Sequence, residues 1–316
     1  MIIIGNIEGI NENSGLKTRM DKNIYYFINF LKSNSTHNIE ICDSWEKEKI
    51  INLNKTDKII YILPGCTIDF INLLEGIKIY EMMDVSCRCT KYKCEGNAPC
   101  RAQNLVNYLK SNKYDYLLYH YKTYIFYSQY NFMNKQFYFP HFIDHNINKD
   151  YGLEKKYDIL FYGNDWIKVY PFRNRLKKLL RKSNFNTLII EIKNPVCGEE
   201  LAKLINQSWI VISTKSYHNL LLQKYIEIAM CKSVICGDFP DLEEKIFEGN
   251  MIYIDIFMKD DEIINILKNN LSDKNKLLEM AKKSYETSLN YTYEKGNELF
   301  NNIITNIIEE NKTNDV

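Results

Sequence analysis

Short runs of apolar residues alternate, along the first half of the chain, with segments whose apolar residues recur at the helical spacing of three or four. The apolar runs predict strands at 2–4, 38–42, 58–63, 77–82, 114–119 and 136–139. Since parallel strands are joined by crossover helices, this β/α alternation predicts a largely parallel sheet covered on both faces, in the α/β class.

A second series of the same kind follows a polar stretch at 145–156, which we interpret as an interdomain linker. Its predicted strands are 157–162, 187–192, 209–213, 233–236 and 251–254, and its predicted helices include 171–182 and 220–230. From 260 onward the pattern is helical, with helices at 273–289 and 293–310. At 316 residues two domains are expected: we predict domains at 1–145 and 146–290, and a segment at 291–316 that packs back on the first.

The charge balance disfavours several classes of partner. A formal net charge of +1 gives no general attraction for phosphate backbones or anionic lipid, so we expect a small-molecule partner and no nucleic acid. The sequence has no run of 18 apolar residues, and residues 1–6 lack the charged n-region and long h-region of a signal peptide. We therefore expect no transmembrane segment and a cytoplasmic protein. The frequent Asn, Ile, Lys and Tyr are typical of an AT-rich genome.

Four of the nine cysteines, Cys87, Cys89, Cys94 and Cys100, lie close together. An odd cysteine count in a long chain argues for reduced thiols rather than a disulfide framework. Four thiolates could close a tetrahedral structural zinc site, although the spacing lacks the paired C-x2-C of common zinc folds. Free or partly oxidised thiols are the alternative.

The segment 224–238 combines a helical run with a short apolar strand, and the helix carries the carboxylate of Glu227. One carboxylate at the small-residue end of a helix, beside a crevice, suits a ribose diol, so we predict a nucleotide-sugar site. The alternative interpretations are an exposed helix carboxylate for Glu227 and a solvated helix face for Lys224.

Four segments, taken in order, match known sequence patterns. Residues 139–144, Phe-Pro-His-Phe-Ile-Asp, are similar to "lPnGvD", and residues 157–164 followed by Arg173 read as a strand, a glycine turn and a helix arginine. Residues 224–231 are similar to "R-x-F-E-A-x-A-x-G", and 291–295 are similar to "H-T-Y-E-x-R". In this order they resemble the CgeB-type (spore-maturation-like) branch of the group 1 glycosyltransferases, a superfamily in which the first segment closes the first domain and the second segment opens the second domain.

This resemblance implies the GT-B architecture, with two Rossmann-like domains facing a cleft and C-terminal helices crossing back to the first. It also implies transfer of a hexosyl or deoxyhexosyl group from a UDP-, GDP- or dTDP-sugar to a hydroxyl acceptor, with no metal needed for catalysis. Two positions depart from the pattern. Lys224 replaces an arginine and cannot make its bidentate fork, and Asn219 stands where many retaining enzymes carry a glutamate, so inversion and retention both stay open.

Ligands of open α/β sheets bind beyond the carboxyl ends of strands, which selects the candidate donor-binding residues. We expect 163–164, 214–219 and 237–240 to face one crevice, and a helix beginning near 216–219 to offer free N–H groups to an anion. The candidates are Gly163, Asn164, Arg173, Lys215, Tyr217, His218, Asn219, Lys224 and Glu227. For His218 a helix cap or a surface position is the alternative.

For an inverting enzyme, the resemblance implies a catalytic base from the first domain. The candidates are Asp84, after the predicted strand 77–82, and Glu12, in the first β/α loop; turn formation is the alternative for both. The aromatic segment 114–138 is a candidate for acceptor contact or for core packing, and no basic run accompanies it as in an RNA platform. Two other functions fit the same fold: a non-catalytic nucleotide- or carbohydrate-binding protein, and a sugar-nucleotide epimerase.

Overall fold

The computed structural model describes residues 2–5, 19–42, 46–56, 59–62, 70–82, 107–111, 114–122, 135–215, 220–240 and 246–314. The chain divides into two compact units. Unit 1 contains Met1–Phe142 together with Tyr293–Val316, and unit 2 contains Ile143–Thr292. Within the described ranges, none of the helices combines the length and the apolar character that a membrane crossing requires.

Unit 1 is built on a parallel sheet, as the alternating pattern predicts. Its described strands are ordered β2-β1-β3-β4-β5-β6, and every neighbouring pair is parallel. Its elements are β1 (Ile2–Gly5), α1 (Arg19–Asn34), β2 (Ile39–Cys42), α2 (Lys47–Asn54), β3 (Ile59–Ile62), a 3-10 turn (Ile71–Leu73), β4 (Ile77–Met82), β5 (Tyr116–Tyr119) and β6 (Gln136–Tyr138).

Unit 2 repeats this topology, with its described strands in the order β11-β10-β9-β7-β8, all parallel. The order reverses between β7 and β9, and ligands of such sheets bind beyond the carboxyl ends of the strands at that point. Its elements are β7 (Tyr157–Phe161), α3 (Pro171–Lys182), β8 (Thr187–Ile189), α4 (Gly198–Asn206), β9 (Ser208–Ile212), α5 (Gln223–Met230), β10 (Val234–Gly237), β11 (Ile252–Tyr253), α6 (Asp260–Leu271), α7 (Lys274–Ser288) and a 3-10 turn (Leu289–Tyr291).

The strands of unit 2 are apolar on both faces because helices cover both. In β7, Ile159 and Phe161 pack with Phe172 and Leu176 of α3 on one face. Leu160, one residue away, packs on the other face with α4 and α5. Successive side chains of a strand point to opposite faces, so a continuous apolar run is what a doubly covered strand requires.

The last helix, α8 (Tyr293–Asn314), belongs to unit 1. Phe300 and Ile304 are fully buried in the core that also contains Ile28 and Leu31 of α1. Gly296 allows the close packing, since a Cβ there would lie 2.7 Å from the ring of Phe142. The apolar stripe of α8 is therefore buried against unit 1.

Two local predictions are corrected by the structure. Residues 145–156, predicted to be an interdomain linker, belong to unit 2, where Asn206 of α4 accepts a hydrogen bond from Leu153 N–H and donates one to Asp150. The predicted helix 220–230 begins at Gln223, and Leu222 before it has an extended backbone. Leu220 and Leu221 are buried without being helical, so burial rather than helical periodicity explains their apolar character.

Gly237, the last residue of β10, lies against the end of β9. A Cβ at this position would be 1.7 Å from the carbonyl oxygen of Ser213. No side chain fits this gap without moving backbone, so we predict that Gly237→Ala destabilises unit 2 by about 3 kcal/mol or more. Urea denaturation followed by fluorescence measures the loss.

Gly249→Ala is the matched control. Gly249 also has a positive φ, of 76°, but a Cβ there would meet nothing within 4 Å. Its replacement should cost only the backbone strain, about 1–2 kcal/mol. An equal loss of unfolding free energy in the two variants would show that the close approach of β10 to β9 does not affect the stability of unit 2.

Candidate functional site

Two buried cations converge on Gly163, directly beyond the carboxyl end of β7. Gly163 has φ of 91°, and a Cβ there would lie 3.6 Å from Arg173 Nη1 and 3.8 Å from Lys224 Nζ. Arg173 is 3% exposed and Lys224 is 8% exposed. Positive charge is thus concentrated beside a glycine whose backbone is open to close approach.

Arg173 spans the point at which the strand order reverses. It donates hydrogen bonds from Nη1 to the carbonyl of Asn164 (2.9 Å), from Nη2 to the carbonyl of Thr214 (2.8 Å) and from Nε to Thr214 Oγ1 (3.3 Å). The guanidinium carbon lies 4.1 Å from the centre of the Tyr170 ring. Burial lowers the pKa of Arg173, yet a guanidinium stays charged in proteins, so the segments after β7 and β9 are joined by a permanent cation.

Lys224 and Glu227 lie on one face of α5, since residues three apart on a helix are neighbours. Both contact Tyr162, the residue after β7. Lys224 Nζ donates to the Tyr162 carbonyl at 2.6 Å and lies 3.8 Å from the centre of its ring. The Tyr162 hydroxyl donates to Glu227 Oε2 at 3.4 Å. A backbone carbonyl, an aromatic face and a carboxylate therefore fix the lysine and the glutamate relative to Gly163.

Glu227 is only 4% exposed. Of the eight residues of α5, the seven from Lys224 to Met230 are buried, so neither Lys224 nor Glu227 is the solvated helix residue that the sequence left as an alternative. A buried carboxylate is costly unless it is hydrogen-bonded or paired. The hydrogen bond from the Tyr162 hydroxyl offsets part of that cost.

Asp238 follows β10 at the same carboxyl edge of the unit 2 sheet. It is 5% exposed, and its carboxylate accepts the backbone N–H of Lys215 at 2.9 Å. The Tyr225 hydroxyl of α5 donates to the Asp238 carbonyl at 2.6 Å. Burial raises the pKa of the Asp238 carboxyl to about 6, so this group changes charge close to neutral pH.

The structure brings six of the predicted donor-binding residues to one edge of the unit 2 sheet. They are Gly163, Asn164, Arg173, Lys215, Lys224 and Glu227. The other predicted residues lie outside the described ranges: Tyr217, His218, Asn219, Asp84, Glu12, Cys87, Cys89, Cys94 and Cys100. Over the residues that are described, no cluster of three or more His, Cys, Asp or Glu side chains is arranged to hold a metal ion.

Sequence reasoning missed Tyr162, Thr214 and Asp238 as individual site residues. Thr214 and Asp238 fall within segments predicted to face the crevice, but nothing in the sequence shows which atoms Arg173 and Lys215 contact. Tyr162 ends a predicted apolar strand, and its position immediately before Gly163 is the one sequence signal that points to a role at the site.

No protein-family model and no curated sequence matches the chain. Several solved structures, in contrast, are similar to the chain along most of its length. A sucrose-phosphate synthase from Thermosynechococcus elongatus superposes with a TM-score of 0.67 at 9% identity, covering 98% of this chain and 99% of that one.

Two further structures hold nucleotides. Anabaena HepE in complex with UDP and glucose gives a TM-score of 0.59 at 10% identity, covering 96% of this chain and 99% of that one. An α-glucosyltransferase in complex with UDP-glucose and DNA containing an abasic site gives 0.58 at 11%, with the same coverage. The neighbours are GT-B glycosyltransferases, and the chain has the GT-B fold. The predicted fold class is confirmed, while the CgeB-type branch stays a prediction.

The raised pKa of Asp238 predicts a pH-dependent stability. A carboxyl with a raised folded pKa stabilises the fold fully below its ordinary pKa of about 4, and this contribution is lost as pH rises through about 6. Asp238→Asn keeps an oxygen for the Lys215 N–H and has no charge to bury. We expect the variant to match the wild type near pH 4 and to exceed its stability at pH 7.5 by up to about 3 kcal/mol.

Denaturation curves at the two pH values measure this difference. Asp261→Asn, at an exposed position in the first turn of α6, is the control and should change stability by less than about 1 kcal/mol at either pH. A constant difference between Asp238→Asn and the wild type at both pH values would contradict the assignment of the titration to this carboxyl.

Proposed function

We propose that this chain is a glycosyltransferase that moves a sugar from a nucleoside diphosphate sugar to a hydroxyl acceptor, with the donor bound by unit 2. The convergence of Arg173 and Lys224 on Gly163 carries this proposal. Glycosyl transfer leaves negative charge on the departing diphosphate, and preorganised cations stabilise charge that develops in a transition state. The GT-B fold supports the same reading.

The diphosphate would lie beside Gly163. Both cations are buried, and charge interactions strengthen where water is excluded. Each hydrogen bond to a charged oxygen contributes about 1.5–3 kcal/mol. Lys224 supplies a point charge rather than a planar fork, so we assign it to one phosphate oxygen and assign Arg173 mainly to holding the surrounding backbone.

Glu227 would accept hydrogen bonds from the ribose hydroxyls, because a carboxylate accepts through both oxygens. The contact with the Tyr162 hydroxyl holds Oε2 in place. Tyr217, His218, Asn219 and Lys215 remain predicted contributors to the same donor site.

HepE was solved in complex with UDP and glucose and the α-glucosyltransferase in complex with UDP-glucose, which favours a UDP-sugar over GDP- or dTDP-sugars here. The transferred group is a hexosyl or deoxyhexosyl residue, and the charge of Arg173 and Lys224 makes a catalytic metal unnecessary. Asp84 and Glu12 are the sequence candidates for the base, and Cys87, Cys89, Cys94 and Cys100 for a structural zinc.

Calorimetric titration with UDP, GDP, dTDP and uridine tests the donor site. We expect Glu227→Gln to weaken UDP and uridine alike, by about 10- to 100-fold, because the ribose contact is common to both. Glu286→Gln, an exposed carboxylate on α7, is the matched control and should bind as the wild type does.

Lys224→Gln separates the phosphate contact from the ribose contact. It should weaken UDP by about 10-fold or more while leaving uridine unchanged, because only UDP carries the charge that Lys224 contacts. Failure of every nucleoside diphosphate to bind the wild type would reject the proposed function. Binding of UDP without any release of UDP from UDP-sugars would favour a non-catalytic binding protein.

A further inference from the structure

One peptide group at the carboxyl edge of the unit 2 sheet is held by two opposite charges. Its carbonyl oxygen, that of Thr214, accepts a hydrogen bond from Arg173 Nη2 at 2.8 Å. Its N–H, that of Lys215, donates to Asp238 Oδ1 at 2.9 Å. In a trans peptide the oxygen and the hydrogen point in opposite directions, so the guanidinium and the carboxylate lie on opposite sides of this peptide group.

The order of the strands explains why the two charges act on the same peptide group. In the sheet, β9 lies between β10 and β7. The peptide group 214–215 follows β9, Asp238 follows β10, and Arg173 also binds the carbonyl of Asn164, after β7. Because the carboxyl ends of parallel strands lie at one edge of a sheet, Asp238 and Arg173 together connect the segments after three neighbouring strands.

Asp238 is 5% exposed, and the described groups that face it come from three elements. They are Arg173 on α3, Lys215 after β9 and Tyr225 on α5. The Tyr225 hydroxyl donates to the backbone carbonyl of Asp238 and not to its carboxylate. Burial and the neighbouring Asp238 raise the pKa of Tyr225 well above its usual range, so this hydroxyl stays neutral near pH 7.

The carboxyl group of Asp238 is close to a balance between its charged and neutral forms. Burial disfavours the charged form, and the N–H of Lys215 with the charges of Lys215 and Arg173 only partly offsets this, so the pKa is raised to about 6. A second anion beside Arg173 would disfavour the charged form further, because like charges repel. The carboxylate, in turn, reduces the positive potential that Arg173 offers to an anion.

We propose that Asp238 takes up a proton when the diphosphate of a nucleotide sugar binds beside Gly163, so that donor binding is coupled to neutralisation of this carboxylate. This inference rests on the proposed function. The proton comes from solvent and adds to the Asp238 carboxylate, and no covalent bond of the donor changes. The neutral acid keeps an oxygen that accepts the Lys215 N–H, so the segment after β9 stays in place while the negative charge is removed.

The coupling gives donor affinity a defined pH dependence. Below about pH 6 the carboxyl is already protonated in the free protein, and binding takes up no proton. Above that pH the carboxylate is ionised, and part of the binding free energy is used to protonate it, so affinity falls as pH rises. A nucleoside without phosphates carries no negative charge and should not be coupled to this proton.

Calorimetric titration of the full chain with UDP-glucose at pH 7 measures the proton uptake, when it is done in PIPES and in imidazole, two buffers with different enthalpies of ionisation. UDP-glucose is the probe because both of its phosphates are esterified, whereas a terminal phosphate such as that of UDP itself titrates at about pH 6. We expect uptake of roughly half a proton per UDP-glucose bound and a Kd that increases about 3- to 10-fold from pH 6 to pH 8. Uridine should bind without proton uptake.

Asp238→Asn removes the proton acceptor and keeps an oxygen for the Lys215 N–H. The variant should bind UDP-glucose without proton uptake, with the same Kd at pH 6 and pH 8, and about 3- to 10-fold more tightly than the wild type at pH 8. Asp255→Asn is the matched control. Asp255 also lies at the carboxyl edge, after β11, and accepts the backbone N–H of Phe257 at 2.7 Å, and its replacement should leave the wild-type proton uptake unchanged.

The results that would overturn the inference differ from those that would reject the proposed function. Binding of UDP-glucose to the wild type without proton uptake would overturn the inference and leave the proposed function intact. Uptake that persists in Asp238→Asn would assign the proton to another group, such as His218, and would also overturn it. Failure of both UDP-glucose and UDP to bind would reject the proposed function, and this inference with it.

Carbon-13 NMR of the Asp238 carboxyl in the wild type gives a readout that needs no variant. At pH 7 we expect the resonance to move from the ionised towards the protonated position as UDP-glucose is added, and to stay in place when uridine is added. A carboxyl that stays fully ionised in the saturated UDP-glucose complex at pH 7 would overturn the inference.

Discussion

The hydrogen bonds of the Arg173 guanidinium are the constraint on which the unit 2 site depends. They join Asn164, after β7, to Thr214, after β9, across the point where the order of the strands reverses. Loops at such a point diverge to opposite sides of the sheet and leave a crevice between them. The segments after β7 and β9, which form its two walls, therefore require an interaction that holds them at a fixed separation. A permanently charged, planar donor does this without closing the crevice, because it bonds to backbone at the base of both loops. The glycine turn and Lys224 are then held at a defined separation.

A buried cation does not by itself indicate a ligand site, and Lys155 shows the difference. Its Nζ donates to the carbonyls of Ser208 and Lys232 and to Ser233 Oγ, and burial lowers its pKa to about 8. These contacts tie together the starts of β9 and β10, at the amino edge of the sheet. Lys224 lies at the opposite edge, over an aromatic ring and next to Gly163. The edge of the sheet and the kind of neighbour, rather than the charge, distinguish structural lysine from candidate ligand-binding lysine.

The sequence predicted the fold better than it predicted the site. Runs of apolar residues identify doubly covered strands because burial on both faces removes polar residues, and this pattern gives β4 its observed bounds. The helical spacing of apolar residues gives α3 its observed bounds. It failed at Leu220–Leu222, where burial without helix imitates a helical pattern. The contacts of Glu81 with His120, and of Tyr162 with Glu227, join strands and helices far apart in the chain. No local pattern encodes such pairs, so candidate site residues could be named only from the family resemblance or from the rule that ligands bind beyond the carboxyl ends of the strands.

The two units share one strand order but carry different chemistry at their carboxyl edges. In unit 2 that edge carries the buried cations Arg173 and Lys224 beside Gly163, with the carboxylate of Glu227 on the same helix as Lys224. In unit 1 the buried groups at that edge include the carboxylate of Glu81 and the imidazole of His120, 2.7 Å apart. Ligands of open α/β sheets bind beyond the carboxyl ends of the strands, so a shared strand order gives each unit the same location for a site. The side chains that follow the strands then determine the charge of that location, which is why one fold can carry different chemistry in its two units.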